Sequence, residues 1–416
     1  MSLADTGAAT GVFAATHIDV HERDQAAPLR SLWPCHEPDE IEAVAAVLRS
    51  GKVNALVHGE HNRAFAAEFA HYVDEAAPPE ALCIANGTLT LEVALRALGV
   101  GPGDEVIVPA RSFFATASCV LAVGALPVFA DIDPVTQNID PASVERMIGP
   151  ATRAVICVHL AGWPCDMDAL GALCTRHDLK LIEDCAQAHG AAWRGQRVGS
   201  FGDAASFSFC TDKIMSTGGE GGLLLFRNHR AWERGWAIKD HGKDYRKVTE
   251  GGGTPGAFRH IHDHLGSNYR MTEMQAALGR RQLGKLPLWL AARARNARFL
   301  CDALAGVPGL LLPELPEHGR HAWYKFYVQF TDDVANRRDR VLQRMLAMGL
   351  PAATGSCPDM SREAALEGLP IRRDGTLEHA VRLGRRTLMF PVDHTLDEEA
   401  MARIANGLRT AIAEES

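Results

Sequence analysis

The sequence predicts an α/β protein, with a large domain on a mostly parallel central sheet and a smaller C-terminal α/β domain. Two observations predict this. Apolar runs of strand length alternate with segments whose apolar residues recur at helical spacing, which implies right-handed crossovers between parallel strands. Polar residues with useful chemistry also recur where those strands stop, and ligands of such sheets bind beyond the carboxyl ends of the strands. A chain of 416 residues is long enough for two domains. The expected divisions are an arm or disordered tail over 1–30, a large domain over 31–284, and a linking helix with a small domain over 285–416.

The elements follow in order. Pro38-Asp39-Glu40 opens a helix, with Ile41, Val44, Val47 and Leu48 as its apolar face. A second helix runs from about Asn62 to Tyr72, with Phe65, Phe69 and Tyr72 as its buried stripe. Ala81 to Ala85 reads as a strand, and Asn86-Gly87-Thr88 turns it into a helix over Leu89 to Leu98. Strands are then expected at Glu105–Pro109, Leu126–Ala130, Ala154–His159 and Lys180–Asp184. Helices are expected between them at Phe114–Val123, from Pro141, and at Met167–His177. Farther on, the pattern predicts a long helix over Leu288–Leu304, a strand at Tyr327–Phe330, a helix over Asp339–Met348, and a final helix marked by Leu396, Met401, Ile404, Leu408 and Ile412. The arginines of the long helix read as a solvated face over an apolar stripe.

Composition narrows the class. The formal charge of -8, without a basic block, argues against a nucleic-acid or acidic-membrane partner. The ten cysteines include no C-x-x-C pair, so no structural metal is expected. Reduced thiols within apolar runs suit a cytoplasmic location. The first residues lack an export signal, and the apolar stretches are broken too early to cross a bilayer.

The most informative stretch is Ser206-Phe207-Ser208-Phe209-Cys210-Thr211-Asp212-Lys213, which reads as a strand ending in a lysine before the glycine-rich Gly218–Gly222. Upstream, the apolar strand Leu181-Ile182-Glu183-Asp184 stops at two carboxylates. A lysine and an acid on neighbouring sheet ends are what pyridoxal phosphate chemistry needs: the lysine for a Schiff base, the acid for the pyridine nitrogen. Asn86-Gly87-Thr88 and Ser208 could supply amides and hydroxyls to the phosphate. Their plainer roles are a turn with a helix cap, and a strand serine bonded to backbone.

These stretches, with Pro102-Gly103-Asp104-Glu105-Val106, Val158-His159-Leu160-Ala161-Gly162, Glu183 to Gly190, Gly219-Glu220-Gly221-Gly222 and Gly266-Ser267-Asn268-Tyr269-Arg270-Met271, resemble the DegT/DnrJ/EryC1/StrS family of sugar aminotransferases. The resemblance runs from about Trp33 to Ala413. It implies the type I fold of pyridoxal-phosphate-dependent transferases, of the aspartate-aminotransferase kind. It also implies residue roles. Lys213 matches the Schiff-base lysine, Asp184 the acid on the ring nitrogen, and Gln187 the neighbour of the ring's 3′-oxygen. Phe113 matches the aromatic stacked on the ring, unless Phe114 takes that place. Thr88, the amide of Leu89 and Ser208 match phosphate ligands. Asn268 matches a phosphate ligand from the other subunit of a homodimer, or else closes a local turn.

The implied activity is transfer of an amino group, from glutamate, to a keto group of a nucleotide-linked deoxysugar, with pyridoxamine phosphate as the intermediate cofactor form. An aminocyclitol transaminase and a non-catalytic scaffold of the same fold are the alternatives. Lys213 argues against the related dehydratases, in which histidine replaces the lysine. One departure is Lys325, in His321-Ala322-Trp323-Tyr324-Lys325-Phe326-Tyr327, where many family members carry a histidine. It could meet a sugar or phosphate, or be a solvated or paired lysine. Asp240 to Thr254 reads as a substrate or dimer loop.

Overall fold

The computed structural model describes residues 27–56, 59–251, 258–314 and 317–415. Most of the expected arm (1–26) and Gly252-Gly253-Thr254 of the expected loop therefore lie outside the described residues.

An eight-stranded sheet forms the centre. Its order is β1 (Glu80–Ile84), β9 (Gly222–Phe226), β8 (Ala204–Ser208), β5 (Lys180–Asp184), β4 (Thr152–Val158), β2 (Glu105–Pro109), β3 (Leu126–Ala130) and β13 (Arg372–Arg373). Only β9 runs against its neighbours, pairing antiparallel with both β1 and β8. The carboxyl ends of β1, β8, β5, β4 and β2 therefore share one edge. The parallel strands read as apolar runs because both faces are covered. One face carries α3 (Gly87–Ala97), α4 (Ala115–Ala122) and α7 (His229–Lys239), around Leu91, Val93, Val120 and Phe129. The other carries α5 (Pro141–Met147) and α6 (Met167–Arg176) beside β3, β4 and β5, and α2 (Glu60–Val73) beside β8 and β9.

The longest helix, α9 (Glu273–Leu304), starts fifteen residues earlier than the sequence predicts and carries Pro287 in its interior. Thr272 and Gln275 form a reciprocal capping box at its start, which specifies the earlier beginning. The expected 284/285 boundary falls inside this helix. Leu283, Leu286 and Trp289 pack with Phe65 and Phe207, whereas Ala297, Leu300 and Leu304 belong to a separate core. That second core joins α10 (Arg338–Ala347), α12 (Glu398–Glu414) and the antiparallel sheet β10 (Leu310–Leu311), β12 (Phe326–Phe330) and β14 (Thr387–Phe390). Leu29 is buried in it, and its amide donates to the Gly349 carbonyl at 2.8 Å, so packing reaches into the expected tail. A small sheet of β6 (Ala192–Trp193), β7 (Gln196–Arg197) and β11 (Gly319–Arg320) and the short helices α8 (Tyr245–Thr249) and α11 (Glu378–Gly384) complete the elements.

The first helix, α1 (Pro38–Ser50), has the expected range, but of the expected apolar face only Val47 is fully buried and Val44 partly so. Ile41 and Leu48 are 59% and 56% exposed, while Glu40 and Val47 are buried. The face turned to α9 accommodates Glu40 because Lys285 and Gln282 of α9 both donate to its carboxylate, at 2.8 and 3.1 Å. No described helix is long and apolar enough to cross a membrane.

Candidate active site

A cleft of about 790 Å³ opens at the carboxyl edge of the sheet. Every predicted site residue except Asn268 lines it: Thr88, Leu89, Phe113, Asp184, Gln187, Ser208 and Lys213. A second cleft, of about 670 Å³, lies between the 134–137 loop and the 305–314 segment and holds none of them.

One wall is the start of α3. The Asn86 side chain caps it, accepting the Leu89 amide at 3.0 Å. A helix start presents free amides and a partial positive charge, which suits an anion. Glycine is required here because helix and strand touch. A Cβ on Gly87 would lie 2.5 Å from the Ser208 Cβ, and one on Gly222 would lie 2.5 Å from the Asn86 carbonyl oxygen. This contact brings the Ser208 hydroxyl beside the α3 amides.

Asp184 ends β5 at the floor of the cleft. Its carboxylate accepts the Ala186 amide at 3.1 Å and the Thr116 hydroxyl at 3.3 Å. Burial pushes its pKa above the usual aspartate range, opposed by the Ala186 amide and the Lys213 charge. Gln187 accepts the Ala161 amide at 2.7 Å through its side-chain oxygen. This fixes the amide orientation and leaves its NH2 group as a donor without a partner among the described residues. The neighbouring acid, Glu183, points away from the cleft. It accepts the amides of Gly199, Phe201 and Gly202 and pairs with His159 at 3.2 Å. His159, expected at a strand end, is thus in the core and not in the cleft.

Lys213 does not end its strand. β8 stops at Ser208, and the lysine sits five residues on, in a loop closed by Thr211 N–H to Gly219 O (3.1 Å) and Lys213 N–H to Cys210 O (3.1 Å). The Trp33 indole N–H holds the Lys213 carbonyl at 2.8 Å. The Lys213 ammonium lies 5.2 Å from the Tyr324 ring centroid, and the Tyr324 hydroxyl donates to Asp212. Phe113 is 67% exposed on the cleft wall, whereas Phe114 packs against the core. Asn268 is exposed, and its backbone bridges to Asp240.

Sequence reasoning missed Thr116, Asp212 and the segment Gly355-Ser356-Cys357, which also line the cleft. Thr116 lies three residues past Phe113 and could have been read as a hydroxyl near the acid. The 355–357 segment carries no local signal. It is held in place by Tyr327, whose hydroxyl accepts the Ser356 amide at 3.1 Å.

A loop lysine, a buried acid and a helix start with free amides thus meet in one cleft at one edge of this sheet. The chain belongs to the DegT/DnrJ/EryC1/StrS aminotransferase family, whose model matches residues 34–409. It is similar to the X-ray structure of an aminotransferase from Psychrobacter cryohalolentis, at 43% identity and a TM-score of 0.88, covering 92% of this chain and 99% of that one. It is 34% identical to the dTDP-3-amino-3,4,6-trideoxy-alpha-D-glucose transaminase of Streptomyces venezuelae, over 92% of this chain and 95% of that protein. It is also 34% identical to a putative L-glutamine:3-amino-2,3-dideoxy-scyllo-inosose aminotransferase of Streptoalloteichus tenebrarius, over 90% and 88%. The fold is the type I pyridoxal-phosphate-dependent transferase fold that the sequence resemblance implies.

Proposed function

We propose that this aminotransferase uses pyridoxal 5′-phosphate to move an amino group from glutamate to a keto group of a nucleotide-linked deoxysugar. The convergence of Lys213, Asp184, Gln187, Thr88 and Ser208 on one cleft carries this reading. The residues fit the cofactor: a buried carboxylate without an ion pair and an amide donor without a partner among the described residues, and a helix start beside a serine, match its ring nitrogen, its ring oxygen and its phosphate. When bound, the cofactor supplies an electron-accepting ring and an aldehyde for the substrate amine.

The chain's own residues do the rest. Asp184 holds a proton at the ring nitrogen, since an adjacent negative charge favours the charged form. The Gln187 NH2 donates to the ring oxygen. The Thr88 side chain, the Leu89 amide and the Ser208 hydroxyl hold the phosphate. Phe113, exposed on the cleft wall, would stack on the ring. Lys213 provides the covalent attachment. Freed by the donor amine, its Nζ would take the donor's α-proton and return a proton one position away. Arginine could not do this, because it stays protonated. Asn268 reaches the phosphate of the partner's site, making a homodimer the active unit. All ten cysteines are free thiols, which supports a reducing, cytoplasmic setting.

The relative named for a scyllo-inosose substrate favours a second reading, a keto-cyclitol acceptor. One experiment separates the two. Purified protein is incubated with glutamate and a panel of nucleotide keto-sugars and keto-inositols, and the aminated product is identified by mass. Transfer to a keto-sugar is expected, and Lys213→Ala abolishes turnover. Transfer only to the cyclitol would replace the leading reading, and a reducible cofactor adduct persisting in Lys213→Ala would remove Lys213 from its role.

A further inference from the structure

The cleft contains a second lysine, and no described carboxylate lies within ion-pairing distance of it. Among the described residues, Lys213 and Lys325 are the only cationic side chains lining the cleft. Lys325 makes no ion pair and no side-chain hydrogen bond with a described residue. Its ammonium lies 4.9 Å from the Tyr324 ring centroid, and the Lys213 ammonium lies 5.2 Å from the same ring. The two charges therefore flank one aromatic ring. The Tyr324 hydroxyl donates to the nearby acid, Asp212.

The backbone beneath Lys325 is fixed. Buried Arg293 donates to the Trp323 and Tyr324 carbonyls at 3.1 and 3.3 Å, and the Tyr324 amide donates to the Ala161 carbonyl at 2.9 Å. Burial, reinforced by the Arg293 charge and opposed by the Asp212 and Asp393 carboxylates, lowers the Lys325 pKa. An unpaired, half-buried cation is costly and calls for an anion.

Resting on the function proposed above, we infer that Lys325 binds the α-carboxylate of the amino donor. Chemistry selects this anion. Lys213 marks where the transferred nitrogen must sit. The donor's α-carboxylate is separated from that nitrogen only by the α-carbon. The phosphates of a nucleotide sugar are attached at the anomeric carbon, several bonds away from its keto carbon. A cation beside the same ring as Lys213 is placed for the first group. The other half of the reaction, with the keto-sugar, brings no carboxylate, so Lys325 discriminates between the two half-reactions.

The test uses the cofactor-loaded wild type, Lys325→Met and Lys325→Arg. Glutarate, a dicarboxylate without the amino group, is titrated calorimetrically into each. The wild type is expected to bind it, Lys325→Met to weaken binding roughly tenfold or more, and Lys325→Arg to retain most of it, as for loss of one charge-assisted contact. Single-turnover rates are then followed separately. Reaction with glutamate or glutamine should fall about tenfold to a hundredfold in Lys325→Met. Reaction of the aminated enzyme with the nucleotide keto-sugar should stay within about twofold. A loss confined to the keto-sugar half would make Lys325 a phosphate contact and overturn the inference. Equal losses in both halves, or no loss of glutarate binding, would overturn it too. Thermal midpoints matching the wild type separate these outcomes from misfolding. Failure of the parent function shows differently: a wild type without a cofactor absorbance band fails whatever Lys325 does, and the glutarate titration still reads the lysine.

Discussion

The Asp184 carboxyl is held in a contradiction that a ligand would resolve. Burial raises its pKa, while the Ala186 amide and the Thr116 hydroxyl are arranged for an anion. A cationic ring nitrogen in the cleft supplies the missing opposite charge and draws the pKa back down. Asp184→Asn keeps size and hydrogen bonding but removes that charge. Both half-reactions should slow by roughly a hundredfold or more, a loss typical of a misplaced catalytic proton. The unfolding midpoint should hold or rise, because an asparagine does not carry the cost of a buried charge. Stopped-flow absorbance decides it, and equal single-turnover rates would exclude the role. At this scale the site was largely legible. Asp184, Ser208 and Lys213 each lie within a few residues of an apolar strand, so local pattern points to them, whereas Gln187 was reached only through the family resemblance. Asp212 was adjacent to the lysine but gave no sign of its bond to Tyr324, because that contact spans 112 residues. Ser356 and Cys357 were illegible for the same reason: their place depends on Tyr327, far away in the chain.

Among the elements, β1 to β5 were read to within about two residues, because a doubly covered strand is an uninterrupted apolar run, whereas β8 was carried five residues too far, to Lys213, and β13 was missed. β9 was missed. Its Leu223-Leu224-Leu225-Phe226 follows directly on a glycine run that read as a turn, and its antiparallel pairing breaks the alternating pattern. The face of α1 was misread because periodicity ranks residues by polarity, whereas burial here follows an ion-pair network. Lys285 donates to Glu37, Asp39 and Glu40 at 2.8, 2.7 and 2.8 Å, and its pKa is raised by those three carboxylates against the burial that lowers it. Glu40 is fully buried and receives His36 and Gln282 as well. Lys285→Met should destabilise the protein by about 3 kcal/mol, because it leaves the Glu40 charge buried without its main counter-ion. Adding Glu40→Met should recover part of the loss, since the desolvated charge is then gone as well. Denaturant midpoints of the single and double variants measure both effects. An unchanged midpoint in Lys285→Met would show that α1 is held by Val47 and its neighbours alone.

For the whole molecule, the question is where Asn268 works. Its side chain is exposed and absent from its own cleft, while Thr88, Leu89 and Ser208 line that cleft. Close to it in sequence, Leu265 is 88% exposed and Phe258 83% exposed, apolar surface that a symmetric partner would cover. If Asn268 completes the partner's phosphate site, each active site takes Lys213 from one chain and Asn268 from the other. Chains carrying Lys213→Ala and Asn268→Ala, each weak alone, are then mixed under conditions of subunit exchange. In the heterodimer one site collects both defects and the other collects neither. Equal chains at full exchange should recover about a quarter of wild-type activity, since half the dimers are mixed and half of their sites are intact. Differently tagged chains, purified as verified heterodimers, remove the dependence on exchange and should show about half the wild-type rate. If Asn268 instead serves its own chain, the only lysine-bearing site in the heterodimer also lacks the asparagine, and purified heterodimers show about half the already weak activity of the Asn268→Ala homodimer. That result would place Asn268 in its own subunit's site even for a stable dimer. A rate near half of wild type would require the phosphate to be held across the interface.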